Sequence, residues 1–361
     1  MTAAERTFER SDLIVIAGGA LAVVLAGLAH YIGWGDAAAF ILAGLAVTAL
    51  ASLVGRSVEQ LGDRFGPGAT GVLQSALGNL PELFISLFAL KAGLVAVVQA
   101  ALIGSILANL LLVMGIAFVV GGLKHGSQSI DSERARSISV LMIVAVVALV
   151  FPSLAHWIHT PAGAHEKTLS DIAAIILLAL FALSLPASLK RESGGLNSPT
   201  ATAPQEPPRW SVALAVTMLA VAGAASAFVS DWFVDALQPA MQAWGISDAF
   251  AGLVIVAIAG NAIENVVGVQ LAARSQSDYA FSLVINSPLQ IALCLAPALV
   301  ILSQVFGFTA LTLVFSPMLV VAVFLAVLIA VVITVDGESN WLEGASLIGV
   351  YGVVAASFWW G

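Results

Sequence analysis

The strongest constraint on this chain is a run of apolar stretches, each long enough to cross a bilayer and separated from the next by a short polar break. They cover residues 13–32, 37–54, 72–90, 94–120, 138–154, 172–189, 211–233, 250–272, 279–302, 311–335 and 341–360. About 20 apolar residues span the hydrocarbon core as a helix. With 60% hydrophobic and 9% charged residues, 361 residues do not supply the polar surface of a soluble globule. Each backbone polar group must then be satisfied inside its own segment. The expected fold is an all-α integral membrane protein of eleven transmembrane helices in the lipid bilayer.

Charge sets the expected orientation. The first stretch follows Arg6 and Arg10 without a clear cleavage site and is read as a retained helix rather than a signal peptide. Counting loops from an internal N-terminus puts Arg6, Arg10, Arg56, Arg64, Lys124, Arg134, Arg136, Lys190, Arg191, Arg209 and Arg274 on the cytoplasmic side, and only Lys91 and Lys167 outside. Cytoplasmic loops carry the excess of Lys and Arg, so the N-terminus is expected inside and the C-terminus outside. The formal net charge of -8 includes no basic patch suited to nucleic acid. Cys294 is alone, which excludes a disulfide framework, and it reads as a small core residue.

The polar, Pro/Gly/Ser-rich segment 190–209 divides the chain near its middle and reads as a cytoplasmic linker. The expected organisation is an N-terminal segment with an extra helix (1–36), a first five-helix repeat (37–189), the linker (190–209) and a second five-helix repeat (210–361). Corresponding helices of the two repeats are five apart, an odd number, so the two repeats enter the membrane from opposite sides. A short motif supports this pairing. Gly78-Asn79-Leu80-Pro81-Glu82 is followed, 182 residues on, by Gly260-Asn261-Ala262-Ile263-Glu264, and the same offset matches Ile103 with Ile285 and Ser105 with Ser287. Inverted repeats that enclose a midplane site are a recurrent transporter architecture.

A charged residue near the middle of a membrane helix costs about 2.5–3.5 kcal/mol on insertion scales, so Glu82 and Glu264 at matched positions point to an ion pathway. Gln74, Ser75, Asn79 and Glu82 cluster in the third stretch, Asn261, Glu264 and Asn265 in the eighth. The adjoining stretches add Ser105 and Asn109, then Asn286, Ser287 and Gln290. Such an oxygen-rich inventory suits Ca2+, which takes carboxylate, amide, carbonyl and water oxygens in flexible geometry. Pro81 and Pro288 withhold the helical partners of the Leu77 and Val284 carbonyls, and Gly78 and Gly260 weaken the same helices. These four residues are therefore candidate carbonyl ligands. Glu59, near one end of the second stretch, and Asp231 and Asp235, near the outer end of the seventh, are candidate ion entrances.

At GNLPELFISLFALKAG with GSILANLLLVMG, at GNAIENVVGVQLAARSQSDYAFSLVINSPLQIAL, and at DGESNWLEG over 336–344, the chain resembles the calcium/proton antiporters, the CAX branch of the cation/calcium exchanger superfamily. The resemblance spans essentially the whole chain. It implies an extra first helix followed by two inverted five-helix repeats, with the transported Ca2+ near mid-membrane. It implies that Glu82 and Glu264 bind Ca2+ and protons, that Asn79, Asn261, Ser105, Ser287 and Gln290 support the site, and that no cofactor is needed. A prokaryotic cytoplasmic membrane and a trimer also follow from resemblance alone. Departures from the family pattern are Asn265 where His is usual after the second Glu, Ala108 where a Ser is common, and Asn286-Ser287 in place of Gly-Ser.

Two facing carboxylates are neutralised equally by one Ca2+ or by two protons, so exchange of cytosolic Ca2+ for external H+ is the expected activity. Sodium/calcium exchangers share the repeat, but Asn261 and Gln290 keep this site at two carboxylates, which favours protons as the counter-ion. A cation channel is a weaker fit, because the repeat encloses its site within one chain. An intramembrane enzyme is excluded by the lack of a nucleophile-base pair or paired aspartates in the apolar stretches.

Overall fold

The computed structural model describes residues 8–65, 73, 77–194 and 209–360. Gln74, Ser75 and most of the linker 190–209 lie outside the described residues. The helices are α1 (Arg10–Ile32), α2 (Asp36–Phe65), α3 (Leu80–Lys91), α4 (Val95–His125), α5 (Ser132–Trp157), α6 (Glu166–Gly194), α7 (Val212–Trp244), α8 (Asp248–Gly260), α9 (Ala262–Ala273), α10 (Ser277–Val305), α11 (Pro317–Thr334) and α12 (Trp341–Ser357). The protein is thus an all-helical membrane protein. Among the described residues eight helices are long and apolar enough to cross a bilayer, and α8 with α9, bent by 61° at their junction, is either a ninth, broken span or a re-entrant loop. Two two-residue strands, β1 (Gln128–Ser129) and β2 (Glu338–Ser339), pair antiparallel, with Gln128 opposite Ser339.

The chain forms two compact units, one from residues 1–88 and 180–243, the other from 89–179 and 244–361. Each draws one stretch from either side of the linker.

In the first unit, α1 packs along α2 through small side chains, with Ala26 and Ala29 facing a buried row of Ala43, Ala46 and Val47. Apolar burial continues through Leu53, Val54, Val58 and Leu61 to Trp210, Ala215 and Ala222. The polar ends are tied by charge. Asp12, buried at the start of α1, pairs with Arg56 at 2.6 Å and with Arg209 at 3.6 Å, and Arg209 also pairs with Glu9. Gln60 accepts from the backbone N–H of both Arg209 and Trp210, at 2.9 and 3.0 Å. The residues that lead into α7 are thereby fastened to α1 and α2.

The second unit is held by close backbone approaches. A Cβ added at Gly104 of α4 would lie 2.3 Å from the Leu253 carbonyl oxygen of α8, and one at Gly252 would lie 2.2 Å from that of Val97. Only glycine permits helices to cross so tightly. Residues 311–316, expected as the start of a membrane helix, are irregular instead. Leu311, Leu313 and Phe315 alternate into the interior, and side chains satisfy their backbone: Ser303 Oγ accepts from Leu311 N–H, Ser170 Oγ from Leu313 N–H and Ser153 Oγ from Phe315 N–H. Gln99 donates to the carbonyls of Thr312 and Val314. The sequence shows the apolar run, but this period-two alternation is what keeps it from being helical before Pro317.

Three helices contain a wide π turn, at Ala108–Val113 in α4, Ala251–Val256 in α8 and Ile291–Leu295 in α10. The first and third are related by the 182-residue offset that links the two acidic motifs. Such turns arise where an extra residue is accommodated inside a helix, and they concentrate at functional positions.

Candidate cation-binding site

The two acidic motifs fold alike. Gly78 and Asn79 form a turn, and α3 begins at Leu80, with the Asn79 carbonyl accepting from Leu83 N–H at 2.9 Å. In the second copy α8 ends at Gly260, α9 begins at Ala262, and the Asn261 carbonyl accepts from Asn265 N–H at 3.1 Å. Each asparagine thus precedes a new helix, and each glutamate is that helix's third residue. Unpaired N–H groups at a helix start favour a negative charge, which suits a glutamate in the first turn. Pro81, expected to kink a continuous helix, instead occupies the first turn of α3, where no N–H is needed. Pro288 does lie inside α10 and leaves the Val284 carbonyl without its helical partner, as expected.

Glu82 is fully buried in the first unit, and Asn79, Leu77 and Gly78 beside it are half-buried. Helical position is what the structure describes for Glu264; its side chain lies outside the described residues. Gln290 is half-buried at the last regular turn of α10 before its π turn. Of the candidate entrance acids, Glu59 and Asp235 are exposed and Asp231 is half-buried.

The second unit contains a continuous amide and hydroxyl network. Asn261 Nδ2 donates to Ser105 Oγ at 3.0 Å and to the Ala257 carbonyl at 3.0 Å. Asn109 Nδ2 donates to the Ser105 carbonyl at 2.9 Å and to Ser287 Oγ at 3.3 Å. Ser287 Oγ in turn donates to Asn261 Oδ1 at 3.4 Å, closing the ring. All four side chains are at most 2% exposed. Three helices, α4, the α8–α9 break and α10, are joined through them. The sequence grouped Asn109 with the pocket but not with the supporting residues; the structure makes it the bridge between Ser105 and Ser287. Its position one turn after Ser105 was the signal. Asn109 Oδ1 is buried without a hydrogen-bond partner and is the ring's spare acceptor.

Known proteins resemble this chain over nearly its whole length. The family model for the sodium/calcium exchanger protein matches residues 36–190 and 214–360. The Ca(2+)/H(+) antiporter ChaA of Bacillus subtilis is 38% identical over 97% of this chain and 99% of its own. The chain belongs to the sodium/calcium exchanger family, in its calcium/proton antiporter branch. The Ca(2+)/H(+) antiporter of Synechocystis sp. is 36% identical, covering 91% of this chain and 93% of that protein. Among solved structures, native YfkE superposes with a TM-score of 0.81 at 35% identity, covering 96% of this chain and 99% of that one. Family members therefore share both the fold and nearly the full length of this protein.

Proposed function

We propose that this chain is a secondary active transporter that exchanges cytosolic Ca2+ for external H+ by alternating access, with Glu82 and Glu264 as the groups that bind either cargo. The observation that carries the reading is Glu82, a carboxylate buried completely in an apolar protein in the first turn of α3. Full-length similarity to Ca2+/H+ antiporters supports the cargo. Asn79, Asn261, Ser105, Ser287 and Gln290 supply neutral oxygens, joined by the carbonyls of Leu77, Gly78, Gly260 and Val284. Hard oxygen donors of this kind suit Ca2+.

Coupling follows from charge. Two ionised carboxylates at mid-membrane are costly, and either one Ca2+ or two protons neutralises them. A site that has released Ca2+ must take up protons before it reorients, which prevents uncoupled leak. The finer architecture belongs to the same reading: eleven transmembrane helices, N-terminus inside and C-terminus outside, an extra helix (1–36), inverted repeats over 37–189 and 210–361, and a linker over 190–209. Asp231 and Asp235 mark one mouth and Glu59 the other. Homo-oligomerisation, as a trimer, accompanies it by resemblance.

The test is uptake of Ca2+ into inverted membrane vesicles driven by an imposed pH gradient, without sodium. Glu82→Gln and Glu264→Gln are each expected to abolish it. Uptake at the wild-type rate in either variant refutes the assignment, and strict dependence on sodium refutes the proton as counter-ion.

A further inference from the structure

Three buried hydroxyls in the first unit have no role in the network above. Ser86 on α3 and Ser226 and Ser230 on α7 are 1%, 0% and 0% exposed. None of the three has a hydrogen-bond partner among the described residues. Other helical hydroxyls turn back onto the carbonyl one turn earlier: Thr48 onto Gly44 at 3.0 Å, Ser57 onto Leu53 at 2.6 Å, Thr217 onto Ala213 at 2.7 Å and Thr334 onto Ala330 at 2.8 Å. That bond is open to most serines in a helix, so three that forgo it are turned toward something else. A buried hydroxyl left unpaired is destabilising, a burden that packing alone does not explain. The two other buried serines without partners, Ser282 and Ser339, belong to the second unit.

Their placement is ordered. Ser226 and Ser230 are one turn apart and share a face with Gly223, at i+3 and i+7. A Cβ at Gly223 would lie 3.9 Å from Leu80 Cδ1, so this face of α7 turns toward the start of α3. In the eleven-helix reading three helices separate α3 from α7, so the two run in the same direction. At 1.5 Å per residue, Ser86 stands about 9 Å beyond Leu80 and Ser230 about 10 Å beyond Gly223, at one level. Glu82 and Ser86 are one turn apart on α3, and Asp231 and Asp235 follow Ser230 on α7.

We infer that Ser86, Ser226 and Ser230 form a hydroxyl-lined step by which the divalent cation passes between Glu82 and the Asp231 end of α7. Their oxygens stand in for waters that the ion sheds. Neutral hydroxyls are suited to such a step, because they ligate a hard cation without holding it as carboxylates do. This assignment rests on the antiporter reading and adds a route to its site.

Single cysteines test it. Ser226→Cys and Ser230→Cys, each in a Cys294→Ala background, are reconstituted and exposed to 2-aminoethyl methanethiosulfonate with and without Ca2+. Both are expected to react, and saturating Ca2+ to slow the reaction. Inert cysteines, or labelling that Ca2+ leaves unchanged, overturn the assignment. In parallel, the triple variant Ser86→Ala, Ser226→Ala, Ser230→Ala is expected to lose about tenfold in proton-driven Ca2+ uptake while melting at or above the wild-type temperature, because the unpaired hydroxyls are gone. Wild-type uptake in that variant also overturns it. Absence of proton-driven uptake in the unmodified chain speaks against the antiporter reading instead, and the labelling result is read independently of uptake.

Discussion

Replacing Gly104 by alanine tests how the polar ring is held. The new Cβ would lie 2.3 Å from the Leu253 carbonyl oxygen, 2.4 Å from its Cα and 2.7 Å from its carbonyl carbon, all backbone atoms that cannot rotate away. An ordinary contact needs at least 3.4 Å, so α4 and α8 must separate by about 1 Å. Ser105 is the next residue on α4, and its hydroxyl accepts from Asn261 at 3.0 Å; a shift of that size breaks the bond. Overpacking costs about 1–3 kcal/mol, and loss of the bond adds about 1 kcal/mol. The expected total is about 2–4 kcal/mol of destabilisation by thermal or denaturant unfolding. A displacement of about 1 Å in a binding constellation can also lower turnover by about 100-fold, so Ca2+ uptake is expected to fall well beyond the stability effect. Gly18→Ala in α1 is the control, since nothing lies within 4 Å of a Cβ there. It is expected to be neutral or stabilising by up to about 1 kcal/mol. Gly104→Ala with wild-type melting and wild-type uptake would show that the glycine crossing does not set the ring's spacing.

Three further outcomes follow. Asn109→Ala removes the bridge between the Ser105 carbonyl and Ser287 and is expected to weaken Ca2+ binding by about tenfold, read as KM in uptake assays. Ser153→Ala strips a hydroxyl that accepts from Phe315 N–H at 2.9 Å and donates to the Leu313 carbonyl at 2.9 Å; two stranded backbone groups are expected to cost about 2–4 kcal/mol by denaturant unfolding. Asn340→Ala removes the cap that accepts from Leu342 and Glu343 N–H at the start of α12, and thermal unfolding is expected to register a loss of about 1 kcal/mol.

Much of this molecule is legible in its sequence because membrane insertion leaves few choices. The stretch 13–32 became α1 within a few residues, since a bilayer requires a helix of that length and no turn chemistry interrupts it. The acidic motifs were legible for the same reason, because a carboxylate among apolar residues stands out. Asn340 and Glu343, three residues apart ahead of an apolar run, form a capping box. Less legible was anything set by tertiary competition. The break at Gly78-Asn79 recasts Pro81 from a kink into a helix start, a choice that depends on how the preceding turn ends. Leu311, Leu313 and Phe315 could have continued a helix by hydropathy; Ser303, eight residues earlier, and Ser153, Ser170 and Gln99, distant in sequence, satisfy the backbone of the non-helical form instead. Asn109 reads as interhelical glue until its partners are known. The π turns have no local signature, because each reflects one extra residue fitted between packed neighbours.

The most direct measurement is proton release on Ca2+ binding to the purified protein in weak buffer. If Glu82 and Glu264 hold one Ca2+ or its proton substitutes, the wild-type chain, loaded with protons at low pH, releases about two protons per Ca2+ bound. Glu82→Gln and Glu264→Gln should each abolish tight binding and the release with it. Ca2+ binding without proton release, or undiminished release from the double variant, would contradict the shared-carboxylate mechanism.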